Sequence, residues 1–259
     1  MKKNLLLIAL AFIFTNVKIL HAQEVGNAQP NPTKQESRTS KNVVKLNLFA
    51  LGTANVSLQY ERALHKNLSF ALQGGMIPTL GMPGIIKSSI PSGIGNIKFS
   101  GYNVSPEFRI YPGVKHDKQA PHGFYFGLYM RHAAYTAATT FEYKDSTNYP
   151  PVVDYKNIDT KLTYSGIGGG LMLGAQWIIK NRVSIDWWII GFHGGVSKVR
   201  LTVDGSAISD DLSDLSEQID DMDMRFNKVV NTSGSKVIMD VKGVPYLGLR
   251  TGLCIGVAF

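Results

Sequence analysis

Seven charged side chains stand inside segments of alternating apolar residues, where charge is least expected: Lys45, Glu61, Glu107, Arg109, Arg131, Asp186 and Arg250. Four are cations and three are anions. If each segment is a β-strand, successive side chains point to opposite faces, and all seven fall on the face away from the apolar one. Gathered on the inner face of a small closed sheet, such charges are expected to interlock as hydrogen-bonded ion pairs, because an unpaired one would be costly. A proton or ion path through the same residues is the functional alternative. A second constellation is His193 and Ser197, four residues apart and so on one strand face, with Asp186 on the opposite parity. A Ser–His–acid set performs acyl transfer only when hydroxyl and imidazole touch, and four strand residues span about 13 Å. No oxyanion site accompanies them. No His, Cys or carboxylate group has metal-ligand spacing, and no glycine-rich loop follows a strand and opens a helix, so no metal and no cofactor are expected.

The elements that must position these residues are read from period-two alternation, which recurs in eight segments: 43–50, 54–63, 67–76, 101–111, 123–135, 162–178, 182–199 and 243–259. In the first, Val44, Leu46, Leu48 and Ala50 oppose Lys45 and Asn47. In the last, Leu247, Leu249, Leu253, Ile255, Val257 and Phe259 oppose Gly248, Arg250, Gly252, Cys254 and Gly256. A soluble β-sandwich also alternates, so the connections have to discriminate. At one end they are 65–67, 112–122 and 180–181; at the other they are 51–53, 77–100, 136–161 and 200–242. Three of the latter four are long, the short-turn and long-loop asymmetry of outer-membrane barrels. The expected fold is therefore all-β, a transmembrane antiparallel barrel of about eight strands.

Composition agrees with that expectation. The chain has 26 Gly and 10% aromatics against only 18% charge, yet beyond residue 22 no apolar run is long enough for a transmembrane helix. A membrane protein without such runs has to close its sheet, since lipid satisfies no backbone group. Tyr60, Tyr102, Phe124, Tyr149, Trp177 and Trp187 fall near strand ends, where aromatic rings favour the membrane interface.

Residues 1–22 read as a secretory signal: Met1-Lys2-Lys3, an apolar run from Leu5 to Phe14 and a polar stretch to Ala22. An uncleaved anchor would need a longer run. Residues 23–42 are polar and aperiodic, a flexible periplasmic tail, and 43–259 form the barrel. Cleavage would remove three lysines and no acid, taking the formal charge from +8 to +5, too modest to argue for nucleic acid. The lone Cys254 leaves neither an internal disulfide nor a lipidated N-terminal cysteine. Phe259 ends the last alternating strand with an aromatic, the feature expected to be read by the barrel-assembly machinery; outer-membrane lipid and lipopolysaccharide are the other expected contacts.

One stretch has a different period. Ile208, Leu212, Leu215, Ile219, Met222 and Phe226 recur at steps of three and four, which predicts an amphipathic helix from about Ser209 to Asn227 in the last outer loop. Ser209 would cap it, Asp210 and Asp211 would favour its first turn, and Arg225 and Lys228 its last. Between Asp204 and Asp223 there are eight acids and no Lys or Arg. The stripe is read as a lid over the barrel mouth, or as a surface for an extracellular partner through residues 200–242.

The stretch Ser105-Pro106-Glu107-Phe108-Arg109-Ile110-Tyr111-Pro112, then Ala120-Pro121-His122-Gly123-Phe124-Tyr125-Phe126-Gly127-Leu128-Tyr129, resembles the Bacteroidota-type small outer-membrane β-barrel proteins of unknown function. Lys45-Leu46-Asn47-Leu48 and Val56-Ser57-Leu58-Gln59-Tyr60-Glu61 are similar to the opening hairpin of that family. The resemblance implies a barrel in a Gram-negative outer membrane with its N-terminal tail periplasmic, and it carries over no catalytic or binding residues. The expected function is non-enzymatic, structural or ligand- and partner-binding; the alternatives are a lipid-modifying enzyme at the outer rim and a narrow diffusion pore.

Overall fold

The structure is a computed structural model that describes residues 40–81, 97–113, 120–145, 154–206, 212–221 and 226–259. Its strands are β1 (Asn42–Asn47), β2 (Val56–His65), β3 (Leu68–Gly81), β4 (Lys98–Ile110), β5 (Gly123–Asp145), β6 (Asp154–Ile179), β7 (Val183–Asp204), β8 (Asn227–Ser233) and β9 (Lys236–Ala258). Neighbours in sequence pair antiparallel from β1 through β7; β7 then pairs with β9 and β9 with β1, so eight strands close into a ring. Among the described residues no helix is long and apolar enough to cross a membrane. The seam runs from Val43↔Ala258 to Asn47↔Cys254 and is fastened at its end by Asn42 and Phe259, whose backbone groups exchange hydrogen bonds of 3.0 and 2.8 Å. Closure leaves no unpaired edge there, which is what a sheet of this composition requires.

Alternation sets the two faces as expected. Along β2 the burial switches at every residue from Val56 to Arg62, with Ser57, Gln59 and Glu61 inside and Val56, Leu58 and Tyr60 outside. The turns 66–67 and 180–182 are short, and Lys180 and Asn181 both take positive φ (50° and 55°), the pairing of a tight hairpin whose twist matches its strands.

Four expectations are corrected. The first strand stops at Asn47, and Leu48–Leu51 form a helical turn in which the Asn47 side chain accepts from the Ala50 N–H at 3.1 Å. An asparagine that can cap competes with strand continuation at that point. The long connections are shorter than expected because strand pairing continues upward to Gly81↔Lys98, Asp145↔Asp154 and Asp204↔Lys236. The parity of β7 changes at a bulge between Trp188 and Gly191, so His193 and Ser197 share the inner face with Asp186 instead of opposing it. The same switch occurs on β9 at Gly243, whose φ is +80°: Val237, Met239 and Val241 are buried before it and Tyr246 and Arg250 after it.

The fourth correction concerns the last outer connection. Its helix runs from Leu212 to Asp220, and Asn227 already begins β8, which folds back on β9 through a turn at Gly234 with φ +58°. Ile219 is buried with Val203, Val237, Met239 and Val241 in a small apolar core above the ring's charged interior. Lys228 reaches the helix's C-terminal end from β8, donating to the carbonyls of Ile219 at 3.2 Å and of Asp220. Phe226 is 40% exposed and lies past the helix; Leu212 and Leu215 are on it; Ser209, Asp210, Asp211, Arg225, Ile208 and Met222 lie outside the described residues. Ile219→Asp should release the helix from this core: a few residues' worth of helical circular dichroism is lost and protease cuts faster between β7 and β8, while the ring itself stays intact. Unchanged cleavage would show that Ile219 holds nothing down.

Candidate functional site

The lower half of the ring is filled with charge. Arg109, fully buried on β4, donates through its fork to Glu107 (3.0 and 2.7 Å), Asp186 (2.7 Å), Glu61 (3.2 Å) and Gln59 (3.0 Å). Lys45 on β1 donates to the same Glu61 and Asp186, at 2.5 and 2.6 Å, and to Gln176 at 3.1 Å. Glu61 and Asp186 also accept from neutral donors. Ser69 and Tyr111 reach Glu61 at 2.5 and 2.7 Å, and Tyr125 and Trp188 reach Asp186 at 2.9 and 3.1 Å. Arg250 forms an ion pair with Glu107 at 2.5 Å and lies over the rings of Trp188 and Tyr129, 4.0 and 4.9 Å from their centroids. Three cations therefore face three anions, drawn from β1, β2, β4, β7 and β9, and every strand contributing one is tied to the others.

Small residues make that density possible. A Cβ on Gly256 would lie 2.7 Å from Lys45 Cγ, one on Gly252 2.8 Å from the Trp188 ring, and one on Gly248 2.5 Å from the His193 ring. Three glycines of β9 thus stand opposite three of the largest inward side chains.

The seventh expected member, Arg131, is not in this network. It sits farther along β5, partly exposed, with its Nη1 3.4 Å from Ser105 Oγ and no carboxylate partner among the described residues. How high an inward residue sits depends on the stagger between strands, which parity alone does not report. Arg131 lines a cavity of about 460 Å³ that lies beyond the charge network, with Asn55, Gln73, Asn103, Trp188, Tyr246 and Arg250 also in its wall. Gln73 donates to Ser57 at 2.7 Å and to Asn103 at 2.9 Å, and its own Oε1 is left without a partner, as are Asn55 Oδ1 and Asn103 Nδ2.

His193 and Ser197 are not joined by a hydrogen bond. The His193 Nδ1 is 3.1 Å from the Tyr129 hydroxyl, and Ser197 donates to the carbonyl of Val244 at 3.0 Å. Among the described residues there is no group of three or more His, Cys, Asp or Glu placed to hold a metal ion. Outside the charged interior, toward the upper strand ends, Arg200 donates twice to Asp240, at 2.6 and 3.0 Å, and this hydrogen bonding holds the Asp240 carboxyl below the usual carboxylate range. The backbone N–H of Ser206 does the same for Asp204.

Parity points to further interior residues. Tyr111 and Trp188 are each two positions from a charged inward residue, Arg109 and Asp186, and both are buried against the network. Asn55 and Tyr246 carry no such signal, since each is placed by a turn or a bulge.

No curated protein and no solved structure matches the chain. One family does, over residues 13–197, which takes in β1 through most of β7 and stops short of the helix, β8 and β9. With more than half of its length matched, the chain belongs to the family described as protein of unknown function (DUF3575).

Proposed function

We propose that this ring is an outer-membrane barrel of a Gram-negative bacterium, non-enzymatic, with its short turns in the periplasm and its tall end exposed for binding a ligand or partner. One observation carries the reading: every ring strand turns exposed apolar side chains outward, while the charged and polar side chains of the strands are gathered in a buried interior among glycines and aromatic rings. Leu58, Leu72, Phe108, Phe126, Leu171 and Leu249 are 46–73% exposed, with Trp187 and Phe192 beside them. A patch that size on a soluble monomer would be an aggregation site, whereas lipid covers it without cost. Tyr60, Tyr102, Phe124, Trp177 and Trp187 all point outward, and Tyr149 lies outside the described residues. Residues 1–22 serve as the signal in this reading, 23–42 as the periplasmic tail, and Phe259, outward and exposed at the seam, as the mark for the assembly machinery.

His193 is engaged by the Tyr129 hydroxyl and Ser197 by the Val244 carbonyl, and the filled lower lumen supports a barrel that does not conduct. The mature chain should fractionate with the outer membrane and run faster on a gel unless boiled, since a closed ring resists detergent. In a planar bilayer it should show no steady conductance, because the paired charges leave no continuous water path. Recovery as a soluble periplasmic protein would overturn the membrane reading, and a large, stable, ion-selective conductance would replace it with a pore.

A further inference from the structure

The cavity beyond the charge network is walled by buried polar groups that the chain itself leaves unused. Asn103, 1% exposed, has a free Nδ2 donor; Gln73, 2% exposed, has a free Oε1 acceptor; and Arg250, 6% exposed, has Nε and Nη1 without hydrogen-bond partners. Asn55 adds a second free acceptor in its Oδ1. Buried polar atoms in native proteins are almost always partnered, so a cluster of orphans converging on one cavity marks the place where something else supplies the partners. Water can fill some of them; charge says more about the occupant. Below the cavity three cations cancel three anions, and Arg131 in the wall adds one cation with no carboxylate partner among the described residues.

We infer that this cavity is a binding site for a small hydroxylated carboxylate of the sugar-acid class, held by the guanidinium groups of Arg131 and Arg250. A single surplus positive charge matches a carboxylate better than a phosphate monoester, which carries close to two negative charges at neutral pH. Arg250 is already fixed in orientation by the rings of Trp188 and Tyr129 and by its Nη2 on Glu107, so its remaining N–H groups are preorganised to donate to an anionic oxygen. The free acceptors on Asn55 and Gln73 cannot pair with a carboxylate and need donors, which the hydroxyls of a polyol supply. Tyr135 and Tyr246, also in the wall, add aromatic surface for the C–H side of a sugar. A volume of about 460 Å³ lies in the range of small-ligand sites and suits a single ring.

This inference deepens the proposed ligand-binding role and rests on it. Glucuronate, glucose, glucose 6-phosphate and inorganic phosphate are titrated calorimetrically into the full mature chain folded in detergent, and gel mobility with and without boiling is recorded on the same samples. Glucuronate should bind saturably and at least tenfold more tightly than glucose or inorganic phosphate. Arg131→Gln should weaken glucuronate at least tenfold and leave glucose unchanged, and Arg131→Lys should weaken it less. Asn103→Leu is the second variant and should weaken both sugars. If glucose binds as tightly as glucuronate, or Arg131→Gln changes nothing, the carboxylate assignment is wrong. Tighter binding of glucose 6-phosphate would make the ligand a phosphate ester and overturn it equally. No binding by a sample that retains its fast-migrating folded form removes the site and leaves the barrel standing; loss of that form in the unmodified chain removes the barrel.

Discussion

Arg109→Ala is expected to destabilise the ring by about 3–5 kcal/mol, the usual cost of removing one partner from a buried charge cluster. The magnitude follows from how many groups share this guanidinium. It touches Glu61, Glu107 and Asp186 at once, and all four side chains are fully shielded from solvent. Without it, Lys45 and Arg250 face three carboxylates, one of them in excess, with no water to solvate it. Arg109→Lys should recover little, because an ammonium cannot reach Glu107 from one side and Asp186 from the other as the planar fork does. The informative comparison is the double variant Arg109→Leu with Asp186→Leu. It leaves two intact pairs, Lys45 with Glu61 at 2.5 Å and Arg250 with Glu107 at 2.5 Å, and balanced charge. Urea unfolding in lipid vesicles, followed by tryptophan fluorescence, should rank the double variant above either single one. If the three are equally unstable, packing around Arg109 matters and its charge does not.

The second large effect belongs to a glycine pair. Where β6 and β7 cross the middle of the ring, Gly168 pairs with Gly195 and Gly170 with His193. A Cβ on Gly195 would lie 2.0 Å from the Ile167 carbonyl oxygen and 2.4 Å from Gly168 Cα. Both are backbone atoms of the neighbouring strand, so no side chain can swing aside. Gly195→Ala therefore has to part the strands, an overpacking cost of about 1–3 kcal/mol before any lost pairing is added. The expected result is a sharp fall in the heat-resistant species. Gly194→Ala is the control one residue away: its Cβ would meet only Leu247 Cδ2, at 3.5 Å, and should shift stability by no more than about 0.5 kcal/mol. Equal yields of the two variants would mean that the strands are farther apart there than the register requires.

What could be read from the sequence, and what could not, divides along physical lines. Inward charge on an alternating strand is unambiguous, so Lys45, Glu61, Glu107, Arg109, Asp186 and Arg250 were assigned to one interior by parity alone, and the structure ties those six together. Strand ends lie beyond the reach of apolar alternation. It fades at Thr136 on β5 and before Leu162 on β6, although hydrogen bonding continues to Asp145 and Asp154. Beyond the apolar belt both faces meet polar surroundings, and a strand there needs no apolar side. At the helix the apolar spacing overshoots instead: Phe226 extends the spacing of the stripe by coincidence, while Asn227 begins the strand that turns at Gly234. The bulge after Trp188 has no local signature except Gly191, and it alone decides which way His193 points. The cavity was illegible because its walls come from five or more strands at one height, and height is fixed by stagger.

The strands of the ring differ greatly in length, and the difference is not spread evenly around it. β2 has 10 residues and β1 has 6, whereas β5, β6, β7 and β9 have 23, 26, 22 and 23. In the proposed membrane setting a tilted strand needs about 9–11 residues to cross, so β2 would end at the surface while β5, β6 and β7 on the far side of the ring, and β9 beside β1, continue for about a dozen residues more. The rim is thus a parapet on one bearing and a bare sill on the other, at Leu48–Leu51 and the turn that follows. Phe49, Ala50 and Thr53 of that sill also line the cavity. On the membrane reading proposed above, a solute drifting along the bilayer plane would meet a wall from one compass direction and a doorstep from another. On that reading the molecule has a front and a back in two dimensions, and its rotation about the membrane normal would set which neighbours can hand anything to it.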